Sequence, residues 1–378
     1  MRRYNVKMDR YKRVTVKIGS NVLTRRDGTL DFTRMSALVD QVAALRDAGI
    51  EVILISSGAV ASGRGELRDS VDASGLDEVS ARQLFSAVGQ AKLINRYFEL
   101  FRDHRMVCGQ VLATKENLAT RRHYLNQQHC IEVMLRSNVV PVVNENDTVS
   151  VTELMFTDND ELSGLVATMT DSDALIILSN IDGIYTGNPS EPESHLIAEI
   201  AQGDDVSGCI STARSSLGRG GMTTKYRIAR KVAAEGIAVV IANGKRDGVL
   251  TGLLLDSTEA CPPHTLFLPA DKRPSSLRKW IAHSDSFAKG TLHVDAGAAS
   301  ALRAGGASLL AVGLKRAEGD FERDDIVRVL APDGTTVAWG RSAYSSREAG
   351  AIAGKTDMAP VIHADYLYVD ETDIFRDR

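Results

Sequence analysis

The sequence lacks the surplus of basic residues that a dedicated nucleic-acid-binding protein needs. Its 378 residues include 45 Lys and Arg against 49 Asp and Glu, a formal net charge of -4. Neutralising a phosphate backbone requires excess positive charge, so this balance favours a small-molecule partner. The chain also lacks any apolar run of roughly 18 residues, and no signal-like apolar stretch follows its basic start. We therefore expect a cytoplasmic protein with no membrane span.

Cysteine is scarce, and its spacing does not suggest a metal site. The four cysteines form no CxxC pair and are scattered along the chain at Cys108, Cys130, Cys209 and Cys261. His123 and His129 flank Cys130, but a six-residue separation puts the two histidines on different sides of a helix. We expect reduced thiols and predict no metal-ligating residues.

Short apolar runs alternate with helical patterns from Arg13 to about Ala242. Each run is apolar enough to be buried on both faces, as is typical of parallel strands between two helical layers. The predicted strands are Val14–Ile18, Val52–Ser56, Val107–Leu112, Val139–Val143, Ala174–Ser179 and Ala238–Ala242. The sequence therefore predicts an α/β fold, with a mostly parallel sheet sandwiched by helices.

The pattern changes after the proline-containing segment CPPHTLFLPADKRPSS. From near Lys289, glycines and short alternating runs predominate, which indicates a second, small β-barrel-like fold with one or two helices. Its predicted strands are Gly290–Val294, Leu309–Val312, Ile326–Leu330, Val337–Ala338 and Tyr366–Val369. We predict two domains, 10–272 and 289–370.

Two of the turns that follow predicted strands are suited to holding anions, and α/β proteins bind ligands at such turns. VKIGSNVL places Lys17 near the end of an apolar strand, where a buried ammonium needs an anionic partner such as a nucleotide phosphate. The alternative is an edge strand with Lys17 in solvent. ISSGAVASG places Ser57 and Gly58 at a helix start, where amide groups bind carboxylate or phosphate. The alternative there is an ordinary helix cap.

Two further turns carry dense polar or glycine-rich sequence. NENDTVS and FTDNDELSG bring acidic and amide side chains together, and these need magnesium, lysines or a substrate ammonium nearby. A solvated acidic loop with a helix cap at Asp158 is the alternative. SSLGRGGMTTK is not a Walker A loop, but its glycine amides and Lys225 are suited to β- and γ-phosphates. A flexible surface loop is the alternative.

Taken in order, six motifs resemble the glutamate 5-kinase branch of the amino acid kinase superfamily over nearly the whole chain. They are VKIGSNVL, ISSGAVASG, VVPVVNENDTVS, TDNDELS, DGIYTGNP and GRGGMTTK, and GTLHVDAGAASALRAGGASLL resembles a PUA domain. The resemblance implies a kinase that uses ATP and Mg²⁺ to convert L-glutamate to L-glutamyl 5-phosphate, the first step of proline biosynthesis. It also implies feedback inhibition by proline, a dimer or tetramer, and functional coupling to glutamyl-phosphate reductase.

The resemblance assigns catalytic roles to three residues. Lys17 matches a lysine that contacts the nucleotide phosphates, and Lys225 matches one that stabilises charge on the transferring phosphoryl group. Asp160 matches an aspartate that organises these two lysines. Three further positions match glutamate-binding residues, namely Ser57, Asp147 and Asn159.

The nucleotide site implied by the resemblance comprises Lys17, Ser179, Asn180, Gly218, Arg219, Gly220, Gly221, Met222, Thr223, Thr224 and Lys225. Two of these positions depart from the family pattern. Asn180 stands where aspartate is usual, and Arg219 stands where threonine is usual. Both departures bear on base preference and nucleotide affinity, and the glutamate-binding positions are unaffected.

There are two alternatives to this function, one a related kinase and the other a protein of a different class. Another amino acid kinase would act on N-acetylglutamate, aspartate, carbamate or a nucleoside monophosphate, but those branches lack the PUA-like extension. An RNA-binding or RNA-modifying protein would use the PUA domain to bind RNA. The segment 290–378 holds 10 Lys and Arg against 14 Asp and Glu, the wrong sign for a phosphate-binding face. We therefore expect a structural or regulatory role for this domain and no nucleic-acid partner.

Overall fold

The computed structural model describes residues 11–25, 27–115, 118, 121–149, 159–209, 221–255, 261–271, 280–281 and 288–369. The chain divides into two compact units, the first formed by Met1–Thr114 with Leu125–Arg273 and the second by Lys115–Tyr124 with Pro274–Arg378. The predicted boundary segment, 273–288, lies mostly outside the described residues. No helix in the described ranges is both long and apolar enough to cross a lipid bilayer.

The first unit is built on an eight-stranded sheet. Its strands are β1 Arg13–Ile18, β2 Glu51–Ser56, β3 Val107–Ala113, β4 Val139–Glu145, β5 Ala174–Ser179, β6 Glu199–Ile200, β7 Ala238–Asn243 and β8 His264–Phe267. The spatial order is β3-β4-β2-β1-β5-β7-β8-β6, and every neighbouring pair is parallel except β7 with β8. The mostly parallel sheet predicted from the sequence is thereby confirmed, and β6 and β8 are additional strands.

Helices accompany this sheet and cover its apolar strands. They are α1 Ser20–Leu23, α2 Phe32–Asp47, α3 Ala59–Leu67, α4 Glu78–Asp103, α5 Arg121–Arg136 (in this unit from Leu125 onward), α6 Asn159–Met169, α7 Met222–Ala234 and α8 Val249–Leu254. All six residues of β5 are buried, as a strand covered on both faces requires. The longest helix, α4, begins where the Asp77 side chain accepts hydrogen bonds from the amides of Val79 and Ser80.

Two glycines let α3 and α4 pack with their backbones in contact. A Cβ on Gly63 would lie 1.8 Å from the carbonyl oxygen of Phe85, and one on Gly89 would lie 1.8 Å from that of Ala59. No side chain fits at either distance, so both glycines are required by the close approach. The contact holds the N-terminal half of α4 against the helix that follows β2.

The second unit contains a five-stranded sheet. Its strands are β9 Gly290–Val294, β10 Leu314–Gly319, β11 Ile326–Leu330, β12 Thr336–Arg341 and β13 Leu367–Val369, in the order β10-β9-β11-β12-β13. Two helices, α9 Ala296–Arg303 and α10 Ser346–Ile352, accompany the sheet. This small β-rich fold with two helices agrees with the sequence prediction.

One predicted strand of the second unit is wrong. Leu309–Val312 forms no strand: Leu309 makes an isolated bridge to Ile362, and Ala311–Gly313 is a 3₁₀ helix. The strand follows immediately, as β10, which pairs antiparallel with β9. Leu309 and Ala311 are buried in the core of this unit, so their apolar character reflects packing rather than strand formation.

Candidate active site

Lys17 lies in the middle of the first sheet and not at an edge. It is the fifth residue of β1, which runs parallel between β2 and β5, and its Cα is in register with those of Ile55 and Ile177. The residue is 5% exposed. The alternative of a solvated lysine on an edge strand is therefore wrong, and an ammonium this deeply buried requires an anionic partner.

Asp160 is that partner, and it also binds a second lysine. It is the second residue of α6 and is fully buried. One carboxylate oxygen, Oδ1, lies 2.5 Å from Lys17 Nζ, and the other, Oδ2, accepts a hydrogen bond of 2.8 Å from Lys225 Nζ. Lys225 lies in the first turn of α7 and is 8% exposed. A single buried carboxylate thus fixes the positions of two ammonium groups from different elements.

The charge state of Asp160 follows from these contacts. Burial by itself would raise the pKa of its carboxyl group, because desolvation penalises the charged form. The attraction of Lys17 and Lys225, and the hydrogen bonds from both, outweigh burial and lower the pKa to about 2. Asp160 is therefore ionised at neutral pH and acts as a counterion, not as a proton donor.

Gly19 keeps the space beside Lys17 open. Its amide donates to the carbonyl oxygen of Leu178 at 3.0 Å, which draws the start of α1 against β5. A Cβ at this position would lie 3.0 Å from that oxygen and 3.7 Å from Lys17 Nζ. A larger residue would therefore press on the Leu178 carbonyl and lie in contact with the ammonium group of Lys17.

A second polar cluster joins the ends of β2 and β4 to the first residue of α6. The Asn159 side-chain nitrogen lies 3.0 Å from each of three acceptors, namely Ser56 O, Ser57 Oγ and Asn144 Oδ1. Gly58, which follows Ser57, has φ 103° and so turns the chain into α3. Ser57 and Asn159, two of the predicted glutamate-binding residues, are therefore in direct contact.

Asp147, the third predicted glutamate-binding residue, is engaged by Arg82. The guanidinium Nε of Arg82 donates to Asp147 Oδ1 at 2.7 Å, and its Nη2 contacts the same oxygen as well as Glu145 Oε2 at 3.2 Å. Ser86, one turn further along α4, donates to Asp147 Oδ2 at 3.2 Å. Sequence reasoning missed Arg82, because it lies on an amphipathic helix more than 60 residues before its partners and belongs to no motif.

The residues predicted to bind nucleotide are only partly described. Ser179 ends β5, and the exposed Asn180 follows it, while Gly221 directly precedes α7, which begins at Met222. Thr223 is exposed and Thr224 half-buried, and neither lines the cavity described next. Gly218, Arg219, Gly220 and the predicted helix cap at Asp158 lie outside the described residues.

These clusters line one cavity of about 630 Å³ in the first unit. This size is within the range typical of small-molecule sites. Of the predicted site residues, the cavity lining includes Lys17, Ser57, Asp147, Asn159, Asp160, Ser179, Asn180, Gly221, Met222 and Lys225. It also includes Arg64 and Arg82, which the sequence did not single out.

The described side chains do not form a cage for a divalent cation. Within the described ranges, no three His, Cys, Asp or Glu side chains come together as a metal site would require. Both oxygens of Asp160 are taken by lysines, and Asp147 is held by Arg82 and Ser86. Neither carboxylate is arranged as an open ligand for magnesium.

Comparison with known proteins places the chain in a family. The model for the amino acid kinase family matches residues 12–243, and the model for the PUA domain matches 290–359. A glutamate 5-kinase of Bacteroides thetaiotaomicron is 58% identical over 95% of this chain and 99% of its own length. A glutamate 5-kinase of Chlorobaculum tepidum is 43% identical over 95% of this chain and 98% of its own.

A solved structure shares the fold of the first unit at much lower identity. Carbamate kinase from Giardia lamblia bound to AMP-PNP has a TM-score of 0.50 and 16% identity, covering 69% of this chain and 100% of that one. The family match spans five of the predicted site residues, namely Lys17, Ser57, Asp147, Asn159 and Lys225. The chain therefore belongs to the amino acid kinase family and carries a PUA domain over 290–359.

Proposed function

We propose that this chain transfers the γ-phosphoryl group of ATP to the γ-carboxylate of L-glutamate, giving L-glutamyl 5-phosphate in the first step of proline biosynthesis. The observation that carries the proposal is the buried Lys17–Asp160–Lys225 cluster in a cavity that is also lined by Ser57, Asp147 and Asn159. Close relatives named glutamate 5-kinase, matched over nearly their whole length, support the choice of glutamate.

The lysines supply what phosphoryl transfer needs from a protein. The transferring group carries negative charge on its equatorial oxygens, and fixed positive charges that face it lower the barrier. Lys17 contacts the nucleotide phosphates, and Lys225 stabilises the group in transit. Asp160 holds both ammonium groups in place before substrate arrives, so little reorganisation is needed during the reaction.

No general base is required in this mechanism. The γ-carboxylate of glutamate is ionised at neutral pH and attacks the phosphorus directly. Asp160 has its pKa lowered to about 2 and is shared between two lysines, which agrees with a positioning role rather than proton transfer. Ser57, Asp147 and Asn159 orient the acceptor, with the Asp147 carboxylate suited to the α-ammonium group.

The nucleotide site comprises Ser179 and Asn180 after β5 together with the segment 218–225 that leads into α7. Backbone amides near a helix start are suited to phosphate oxygens. Magnesium would enter with the nucleotide as MgATP, since Asp160 and Asp147 are already engaged by lysines and an arginine. No catalytic step is assigned to a metal bound by the protein alone.

Trapping of the acyl phosphate tests the proposal directly. The purified protein is incubated with ATP, magnesium, L-glutamate and hydroxylamine, and a glutamate-dependent hydroxamate is expected. A signal with aspartate or N-acetylglutamate in place of glutamate would keep the kinase assignment and overturn the acceptor. The absence of hydroxamate with every acceptor, in protein that is folded by circular dichroism, would overturn both.

Regulation and assembly are separate proposals. We expect proline to inhibit the reaction, and a titration of proline against activity decides this. We also propose a dimer or tetramer, which sedimentation measures, and coupling to glutamyl-phosphate reductase, which a co-assay of product transfer tests.

For the PUA domain we propose a structural or regulatory role. Deleting 289–378 should change activity, oligomer size or proline sensitivity, and no change in any of them would contradict that role.

A further inference from the structure

Arg82 and Asp147 form an ion pair that lines the cavity. This pair is separate from the contacts of Lys17 and Lys225 with Asp160. Arg82 is in the second turn of α4, and its side chain is 20% exposed, whereas those of Asp147 and Glu145 are 7% and 3% exposed. The guanidinium therefore lies between two buried carboxylates and the space of the cavity. Of the two Asp147 oxygens, Oδ1 accepts from Arg82 and Oδ2 from Ser86.

The helix that carries Arg82 is fixed on both sides of it. The Asp77 side chain caps the start of α4, and the contact of Gly89 with the backbone of α3 holds the fourth turn. Gln90, on the same helix, donates to the carbonyl oxygen of Glu145 at 3.1 Å and so ties α4 to the end of β4. Arg82 thus projects from a rigid element, and only its side chain needs to move when a ligand enters.

Glutamate presents a charge problem that this pair can solve. If its γ-carboxylate faces Lys17 and Lys225, its other end brings one ammonium and one carboxylate into the cavity. The ammonium matches Asp147, and a cation beside Asp147 would match the α-carboxylate. The described cavity lining contains four such side chains, Lys17, Arg64, Arg82 and Lys225. Both lysines bind Asp160, Arg64 is exposed over the ring of Phe85, and Arg82 is in contact with Asp147.

We propose that Arg82 determines acceptor specificity by binding the α-carboxylate of glutamate, while Asp147 binds the α-ammonium. Without substrate, the two side chains neutralise each other; with substrate, each exchanges its partner for the opposite charge of the amino acid head group. This inference rests on the proposed function, since it requires glutamate as the acceptor.

Partner exchange explains both affinity and discrimination. Arg82 and Asp147 each have a partner of opposite charge in both states, so the cost of leaving either of them as a lone buried charge is avoided. The planar guanidinium offers two parallel N–H donors, which match a carboxylate better than a lysine ammonium does. An acceptor without the α-carboxylate separates Arg82 from Asp147 and offers the guanidinium nothing in return, so it is penalised.

The α-amide of L-glutamate is the probe, because it keeps the γ-carboxylate and the ammonium and neutralises only the α-carboxylate. Hydroxamate trapping gives kcat/KM for glutamate and for the α-amide. Wild-type protein is expected to prefer glutamate by roughly 30-fold or more, as loss of one partner of a desolvated charge pair implies. Arg82→Gln should lower kcat/KM for glutamate by a similar factor and barely change that for the α-amide, so the preference approaches one.

The control is Arg102→Gln, an exposed arginine at the other end of α4 and about 30 Å further along the helix. It should retain the wild-type preference. A loss by Arg82→Gln that is equal for both acceptors would mean that Arg82 only holds Asp147 in place, and would overturn the proposal. If Arg82→Gln fails to fold, Arg82→Lys is used instead, because lysine keeps the positive charge but lacks the paired N–H donors. An unchanged preference for glutamate in Arg82→Lys would overturn the proposal.

The wild-type protein alone also decides part of the question. Equal use of glutamate and its α-amide overturns the role of Arg82 and leaves glutamate kinase activity intact. Phosphorylation of neither acceptor defeats the proposed function itself, and with it this inference. A strong wild-type preference that Arg82→Gln or Arg82→Lys weakens supports both.

Discussion

Replacing Asp160 with asparagine keeps the shape of the side chain and removes its charge. The amide would leave the ammonium groups of Lys17 and Lys225 without the carboxylate that lies 2.5 and 2.8 Å from them. Its NH₂ group would in addition point a donor at one of the two. Loss of one partner from a buried ion pair typically costs about 3–5 kcal/mol, because the remaining charge stays desolvated.

The pKa of Asp160 gives the pH dependence of this stability. It lies below the usual value of 3.8 in the folded protein, because the attraction of Lys17 and Lys225 outweighs the effect of burial. Because the folded-state pKa is the lower one, this stability is present above the unfolded-state pKa and is lost as pH falls from about 4 towards about 2. The difference between wild type and Asp160→Asn should therefore be constant at neutral and weakly acidic pH.

Urea unfolding followed by circular dichroism measures this difference, and hydroxamate trapping measures kcat in parallel. We expect a loss of about 3 kcal/mol in the free energy of unfolding, and a kcat at least about 100-fold lower because neither lysine is held in place. Glu66→Gln is the control, since Glu66 pairs with Lys92 at a site where both side chains are about half exposed. It should cost less than about 1 kcal/mol. An Asp160→Asn variant as stable and as active as wild type would refute the reasoning.

Three further predictions concern the cavity and its support. Lys225→Ala should lower kcat by about 100-fold or more with little change in KM for glutamate. The control is Arg227→Ala, at an exposed position on the same helix, which should change neither constant. A rise in KM alone would contradict the role of Lys225. Asp147→Asn should mainly raise KM for glutamate, by roughly 30-fold or more, and an unchanged KM would show that the α-ammonium binds elsewhere. Gly89→Ala should destabilise the fold by about 1–3 kcal/mol, because its Cβ would overlap the backbone of α3. Gly65→Ala is the control and should cost nothing, since no atom would lie nearer than 3.9 Å to its Cβ. Equal melting temperatures for the two variants would refute this packing argument.

The fold of the first unit was predictable because its strands are buried on both faces. All six strands named from apolar runs exist, and each differs from its predicted bounds by no more than two residues at either end. Strand order was not predictable in the same way, since pairing depends on contacts distant in sequence. The sequence was therefore enough to assign Lys17 to a strand. Its position between β2 and β5, and the burial that follows from this position, could be seen only in the structure.

Apolar character was a poor guide in the second unit. The run at Leu309–Val312 is apolar because two of its residues pack in the core, although its backbone forms a bridge and a 3₁₀ turn. The true strand, β10, reads LKRAEG and has four exposed residues, three of them charged, at an edge of its sheet. A charged edge strand deters pairing with other chains, and the same charges hide it from a search for apolar runs.

Some residues of the site belong to sequence motifs and could be predicted, whereas others could not. Lys17, Asp160 and Lys225 belong to recognisable turns, whereas Arg82 has no local signal and is identified only by its contact with Asp147. The charges of Glu145 and Asp147 gave an indirect indication of Arg82, because a buried cluster of carboxylates needs a cation nearby. The sequence did not show whether that cation was a metal, a substrate or an arginine.

The two polar clusters of the cavity are joined through consecutive residues. Asn159 contacts Ser57 and Asn144, while Asp160, the next residue, binds the two lysines. Because both lie in the first turn of α6, one helix start contacts both Ser57, a proposed acceptor-binding residue, and the two lysines. In-line transfer requires the acceptor oxygen and the phosphorus to be held within a few tenths of an ångström of their reacting positions. We expect the start of α6 to contribute to that alignment, because Asn159 and Asp160 contact both polar clusters from adjacent positions.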